Sequence, residues 1–160
     1  MLKRENGSGF SLIETIMTLA LLSLVFSIGC YAFIRVIPKY RLEGAVNSLV
    51  SDFHLARMRA IGQNCFYRIQ VDSGQKQYFL ERESLTGSSR WPGIREGILR
   101  KFNDPGNPYY YPGVDLESSS NNPVFLPRGG VVGTTIILKN SSGQKKITLS
   151  SLGRVKVHEG

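Results

Sequence analysis

From Phe10 to Ile37 the chain is an almost unbroken apolar run, with Ser and Thr scattered through it. A single carboxylate, Glu14, stands near its start, and no further charge appears until Arg35. About 20 apolar residues suffice for an α-helix to cross a bilayer core. A helix that is apolar all round has no solvent face, so it belongs in a membrane or in the core of an assembly. The lone acid makes the requirement sharper. An ionised carboxylate at the centre of such a helix costs about 2.5–3.5 kcal/mol on insertion scales, so Glu14 needs a cationic partner. Residues 38–160 are left for one small globular domain.

The helical pattern continues past Ile37 and changes character. Leu42, Val46, Leu49, Phe53, Ala56 and Ala60 recur at spacings of three and four, which places them on one stripe. Glu43, Asn47, Ser51, His54 and Met58 fall on other faces. One helix is therefore expected from Phe10 to about Ile61. Its first half is transmembrane in character and its second half amphipathic. Pro38 is expected to bend it, and Gly62 and Asn64 are stop signals.

Short alternating segments follow. Phe66–Val71 and Gln77–Arg82 flank Asp72-Ser73-Gly74-Gln75-Lys76 and read as a hairpin. Residues 84–123 are rich in Gly, Pro, Ser and Asn, and read as long loops with one short strand at Ile98–Phe102. Strand patterns return at Val124–Leu126, Thr134–Lys139, Lys145–Leu149 and Arg154–Val157, with turns at Asn140–Gly143 and Ser151–Gly153. The fold class is α+β: a long N-terminal helix packed on an antiparallel β-sheet domain.

The formal net charge is +8. Glu14 and Arg35 cancel, so nearly all of the excess lies in residues 38–160; it suits an anionic partner (nucleic acid, lipid head groups or acidic polysaccharide) or serves solubility alone. Alternation along the last strand puts Arg154, Lys156 and His158 on one face and Val155 and Val157 on the inward one. Arg128, Lys139, Lys145 and Lys146 lie on neighbouring segments. Cations on adjacent strands can contact successive phosphates of DNA; they also protect an exposed sheet edge from pairing. Trp91 and Tyr109–Tyr111 sit in the expected loops, where their rings either stack on bases or pack the loops onto the sheet.

Enzymatic chemistry is not indicated. No nucleophile, base and orienter assemble with any specificity, so no catalytic residue is assigned. The two His and two Cys match no zinc spacing. Gly129-Gly130 lacks the following helix of a phosphate loop. No cofactor and no metal are expected. Cys30 lies in the apolar helix and Cys65 in the domain, which argues against a disulfide between them.

The basic leader with Lys3 and Arg4, then Gly9, Phe10 and Glu14 resemble the processing site of type IV pilins and pseudopilins. Phe125-Leu126-Pro127-Arg128-Gly129, the two strands after it and Gly153-Arg154-Val155-Lys156-Val157 resemble the domain of GspH/FimT-type minor pilins. The resemblance implies a leader of residues 1–9, cut after Gly9 by a prepilin peptidase, and N-methylation of Phe10. It implies that Glu14 pairs with the N-terminal amine of a neighbouring subunit. It further implies a helix 10–37 in the inner membrane or filament core, with domain 38–160 in the periplasm and other pilin or pseudopilin subunits as partners. FimT-type members that bind DNA in natural transformation carry Gly-Arg-x-Arg, where this chain has Gly153-Arg154-Val155-Lys156. A GspH-like pseudopilin at the tip of a type II secretion system is the alternative.

Overall fold

The computed structural model describes residues 10–84, 91–118 and 121–160. Gly9 with the rest of the leader, and residues 85–90 and 119–120 of the expected loop stretch, lie outside the described residues. Two compact units divide at Ile37 and Pro38.

One helix, α1 (Leu12–Gln63), runs for 52 residues and carries Pro38 within it. The Ser11 carbonyl accepts the first helical hydrogen bonds, from the amides of Glu14 and Thr15, both at 3.1 Å. At the other end Asn64 adopts a left-handed φ of 52°. Its amide bonds the Ile61 carbonyl, and the Cys65 amide bonds that of Ala60, both at 3.3 Å. This pair of bonds is a Schellman closure, with Asn in the position usually taken by Gly.

In the first unit the described side chains from Phe10 to Ile37 are exposed. The segment is long and apolar enough to cross a membrane. Its hydroxyls are satisfied locally: Thr15, Thr18, Ser23 and Ser27 donate to carbonyls one turn back, at 2.8–3.3 Å. Such back-bonding lets hydroxyl residues sit in an apolar helix without a bare polar group. Arg35 folds over the Tyr31 ring at 4.8 Å and donates to its hydroxyl.

The second unit has two antiparallel sheets. The strands are β1 (Tyr67–Asp72), β2 (Gln77–Arg82), β3 (Ile94–Lys101), β4 (Asp115–Ser118), β5 (Val124–Phe125), β6 (Val131–Val132), β7 (Thr134–Asn140), β8 (Gly143–Leu149) and β9 (Val155–Glu159). One sheet has the order β3-β2-β1-β5-β6, the other β4-β7-β8-β9. The helical stripe Leu42, Val46, Leu49, Phe53, Ala56 and Ala60 is buried as expected. It shares one core with Tyr67, Ile69, Tyr78, Leu80 and Phe125 of the first sheet and Leu116, Ile136, Leu138, Ile147 and Leu149 of the second. Full burial of each large apolar side chain stabilises by about 1.5–3 kcal/mol, so the stripe is the main anchor of α1 to its domain.

Two expectations need correction. Residues 84–123 are not simply long loops, because β3 and β4 fall inside them. β3 begins at Ile94 rather than Ile98 and slips register against β2 between Phe79 and Glu81. Gly97, at φ +61°, lies in the slipped segment and breaks the alternation that would have marked a strand. β4 has only Leu116 as a large apolar residue and is defined by its pairing with β7. The remaining loop is tied down by aromatics. Tyr111 packs edge-on to Phe102 at 5.6 Å and its hydroxyl bonds Ser48 at 2.8 Å. The Tyr109 ring lies 3.4 Å from the Arg100 guanidinium, and Trp91 covers Arg68 at 4.3 Å. Tyr109, Tyr111 and Trp91 therefore follow the packing alternative, while Tyr110 is 41% exposed.

The second correction concerns β9. Val155 is only half-buried and Val157 is 45% exposed. As the edge strand of its sheet, β9 has no strand on its far side, so its valines are not sealed into the core.

Candidate functional site

Register decides which cations meet. β8 pairs with β9 as Lys146↔His158 and Thr148↔Lys156. Directly paired residues share a face, so Lys146, His158 and Lys156 stand together on the outer face, and all three are exposed. Arg154, two residues before Lys156, is exposed just ahead of the strand. Lys146, Arg154 and Lys156 make no ion pair among the described residues.

The other predicted cations are placed differently. Lys139 pairs with Glu117 across β7–β4, and that bond and charge raise its pKa. Lys145 turns inward and meets Glu159 at 2.6 Å, which lowers the pKa of that carboxyl. Arg128 is exposed in the turn between β5 and β6. On the same sheet, Asp115 is taken by Lys76 at 2.5 Å. The outer face is thus graded. On that face, among the described residues, Lys139–Glu117 and Lys76–Asp115 lie on the β4 side and the unpaired cations toward β9, while Lys145–Glu159 is paired on the inward face.

A cation that sequence reasoning missed joins this edge. Arg57, on the last turns of α1, donates from Nε to the Gly129 carbonyl at 3.0 Å. An open groove of about 530 Å³ is lined by Arg57, Ser150, Leu152, Gly153, Arg154 and Lys156. Among the described residues no carboxylate lines it. The turn beneath is fixed by three bonds: Gly153 amide to Ser150 carbonyl at 2.8 Å, Ser150 amide to Arg154 carbonyl at 3.0 Å, and Arg154 amide to Ser150 Oγ at 3.1 Å. Gly153, at φ +78°, supplies the left-handed corner. A signal for Arg57 did exist. It lies four residues after Phe53 and three before Ala60, so it flanks the buried stripe.

A second cluster lies inside the domain. Asp52 accepts from Tyr78 hydroxyl at 2.8 Å and from Nε and Nη2 of Arg100 at 2.8 and 3.0 Å. Burial, then the charge of Asp52, pushes the Tyr78 phenol well above its usual pKa. Burial alone would lower the pKa of Arg100, but the hydrogen bond and charge of Asp52 outweigh it and the net shift is upward. Nearby on the first sheet, Tyr67 is raised by burial and then by its 2.9 Å bond to Glu96. Burial also raises the Cys65 thiol, and Cys30 and Cys65 are both free. These groups are packed, and Asp52 with Tyr78 and Arg100, and Tyr67 with Glu96, satisfy one another.

The remaining assigned positions are at the N-terminus. Phe10 is exposed ahead of α1, and Glu14 is exposed in its first turn with no ion pair among the described residues.

An apolar half-helix that continues into an amphipathic half, packed on antiparallel sheets, defines a pilin-like subunit. The chain belongs to the family described as type II transport protein GspH, whose model matches residues 45–153. It is similar in fold to the minor pseudopilin EpsH from the type II secretion system of Vibrio cholerae. That likeness has a TM-score of 0.53 and 13% identity, over 71% of this chain and 92% of the other. It is equally similar to the type IV minor pilin FimU of Pseudomonas aeruginosa, with a TM-score of 0.54 and 16% identity, over 75% of this chain and 90% of the other. Among curated proteins no significant match is found.

Proposed function

We propose that this chain is a minor type IV pilin whose precursor is cut after Gly9, N-methylated at Phe10 and built into a filament through its apolar helix. Glu14 then pairs with the Phe10 amine of a neighbouring subunit, which offsets the cost of carrying a carboxylate into an apolar lattice. Before assembly the helix sits in the inner membrane and residues 38–160 lie in the periplasm. The β9 edge takes extracellular duplex DNA without sequence preference and presents it to the pilus, as in natural transformation. The observation that carries the DNA reading is the β8–β9 register, which gathers Lys146, Lys156 and His158 beside Arg154.

The test is a DNA titration of the full chain in detergent micelles at several salt concentrations. Arg154→Ala with Lys156→Ala is expected to weaken binding and flatten the salt slope by about one to two units, at about 0.9 per phosphate contact. Unchanged affinity and slope would remove the DNA reading and leave the filament reading intact. A second reading, a GspH-like minor pseudopilin at a secretion tip, is favoured by the family description itself. Crosslinking to other minor pseudopilins with no DNA binding would support it.

A further inference from the structure

The groove at the end of α1 has a construction that charge alone does not require. Arg57 is not simply near Gly153. A Cβ added to Gly153 would stand 2.8 Å from both Cζ and Nη1 of Arg57 and 3.1 Å from its Nε. Three guanidinium atoms at nearly equal distance mean that the flat face of the group rests on the glycine. Its Nε is spent on the Gly129 carbonyl. Both Nη atoms, by contrast, have no hydrogen-bond partner among the described residues. A tethered guanidinium with two free donor nitrogens is a preset fork, and such a fork matches two oxygens of a phosphate. Arg154 and Lys156 line the same groove. Ser150 Oγ accepts from the Arg154 amide, so its own proton remains free to donate.

The geometry points to a phosphodiester seat in this groove, in which Arg57 grips a DNA phosphate bidentately while Arg154 and Lys156 hold its neighbours. This rests on the DNA reading of the β9 edge and adds to it a fixed anchoring point on another element. It also gives the glycine a role beyond the turn: any side chain there would occupy the space the guanidinium lies in. Inorganic polyphosphate carries the same chemistry, and the arms below separate the two sources.

Full-length protein in detergent micelles is titrated with a fluorescent short duplex, and separately with inorganic tripolyphosphate followed by thermal shift. The variants are Arg57→Gln, Arg57→Lys and the Arg154→Ala/Lys156→Ala pair, with far-UV circular dichroism to verify folding. Arg57→Gln is expected to weaken duplex binding about tenfold and to lower the salt slope by about one, the worth of one phosphate contact. Arg57→Lys should keep the slope yet lose affinity several-fold, since a lysine has neither the fork nor the tether. Loss of binding in the Arg154/Lys156 pair with Arg57→Gln unchanged overturns the seat and leaves the DNA reading standing. Wild-type affinity in Arg57→Lys overturns the fork. Should wild-type protein bind no duplex, the DNA reading falls. The seat then stands only if tripolyphosphate raises the melting temperature of wild type and not of Arg57→Gln; an equal response or none overturns it.

Discussion

Asp52 should be the most sensitive polar position in the domain. It lies on the buried stripe of α1, 3% exposed, and accepts three hydrogen bonds from Tyr78 and Arg100. The side chains of Asp52 and Arg100 are 5% and 17% exposed, so the carboxylate has no water to fall back on and the guanidinium has little. Asp52→Ala leaves the Arg100 cation and the Tyr78 hydroxyl without an acceptor. Breaking a buried pair from one side costs about 3–5 kcal/mol, mostly for the stranded charge. Arg100 keeps its stacking on Tyr109 and can turn partly to solvent, so the lower figure, about 3 kcal/mol, is the one expected. For a domain of this size that corresponds to a fall in melting temperature of about 10–20 °C. Thermal unfolding of the full chain in detergent, followed by near-UV circular dichroism, reads the loss directly. Replacing the pair together, Asp52→Leu with Arg100→Met, should recover most of it, because no charge is then stranded. A loss below about 1 kcal/mol for Asp52→Ala, or a double variant no better than the single one, would refute the argument that the pair is desolvated.

Other perturbations test other links. Phe53→Ala removes a ring that is 1% exposed and 6.1 Å from Phe125, and should cost about 3–5 kcal/mol in chemical denaturation. Tyr67 and Tyr78 are both held neutral in the fold above their usual pKa. An unfolded phenol ionises near pH 10, so stability should be intact below that and fall above it by about 1.4 kcal/mol per pH unit for each of them. The part of the 295 nm absorbance change that Tyr67→Phe and Tyr78→Phe remove should therefore coincide with the loss of the circular dichroism signal in alkali, and its completion near pH 10 with the domain still folded would count against this. Gly9→Ala should leave a full-length precursor in the membrane and none in sheared filaments. Glu14→Gln should be cleaved normally yet fail to assemble, and normal incorporation of either variant would contradict the assembly reading.

The parts of the fold that were legible from sequence are those where one residue pattern maps onto one element. The spacing from Leu42 to Ala60 fixed the buried face of α1, and Asn64 marked its end. Asp72 and Gly74 marked the β1–β2 hairpin, where the Asp72 carboxylate does accept the Gln75 amide at 3.1 Å. What stayed hidden depends on partners distant in sequence. β4 reads Asp-Leu-Glu-Ser and becomes a strand only because β7 lies beside it. β3 is an edge strand with Gly97 in its middle, so charges and a glycine occupy positions where apolar residues would have announced it. The cations of the candidate site looked equivalent along the chain. Their separation into neutralised Lys139 and Lys145 and, among the described residues, unpaired Lys146, Arg154 and Lys156 follows from which acids strand pairing brings within reach: Glu117, diagonal to Lys139, and Glu159, opposite Lys145. Asp52 could have been found, since a carboxylate three residues after Leu49 and four before Ala56 is a charge on a buried stripe and demands a partner.

Protection of a sheet edge and capture of an anion both call for cations on an outer strand, so exposure of Arg154 and Lys156 does not separate them. The other edges of the domain do. β3 carries Arg95 and Arg100, and both are engaged: Arg95 lies 4.3 Å over Phe79 and Arg100 is paired with Asp52. Lys139, opposite β4, is spent on Glu117. Cations on β3 and beside β4 are thus engaged by partners within the domain. The β9 edge is built otherwise, with its cations left open and a further one, Arg57, brought in from the helix and tethered to a backbone carbonyl. A solvated edge gains nothing from fixing a guanidinium across an element boundary, because repulsion of a second strand depends on charge and not on orientation. Orientation matters when the group must meet two oxygens at once. The anionic ligand proposed above accounts for Arg57 as well as for Arg154 and Lys156.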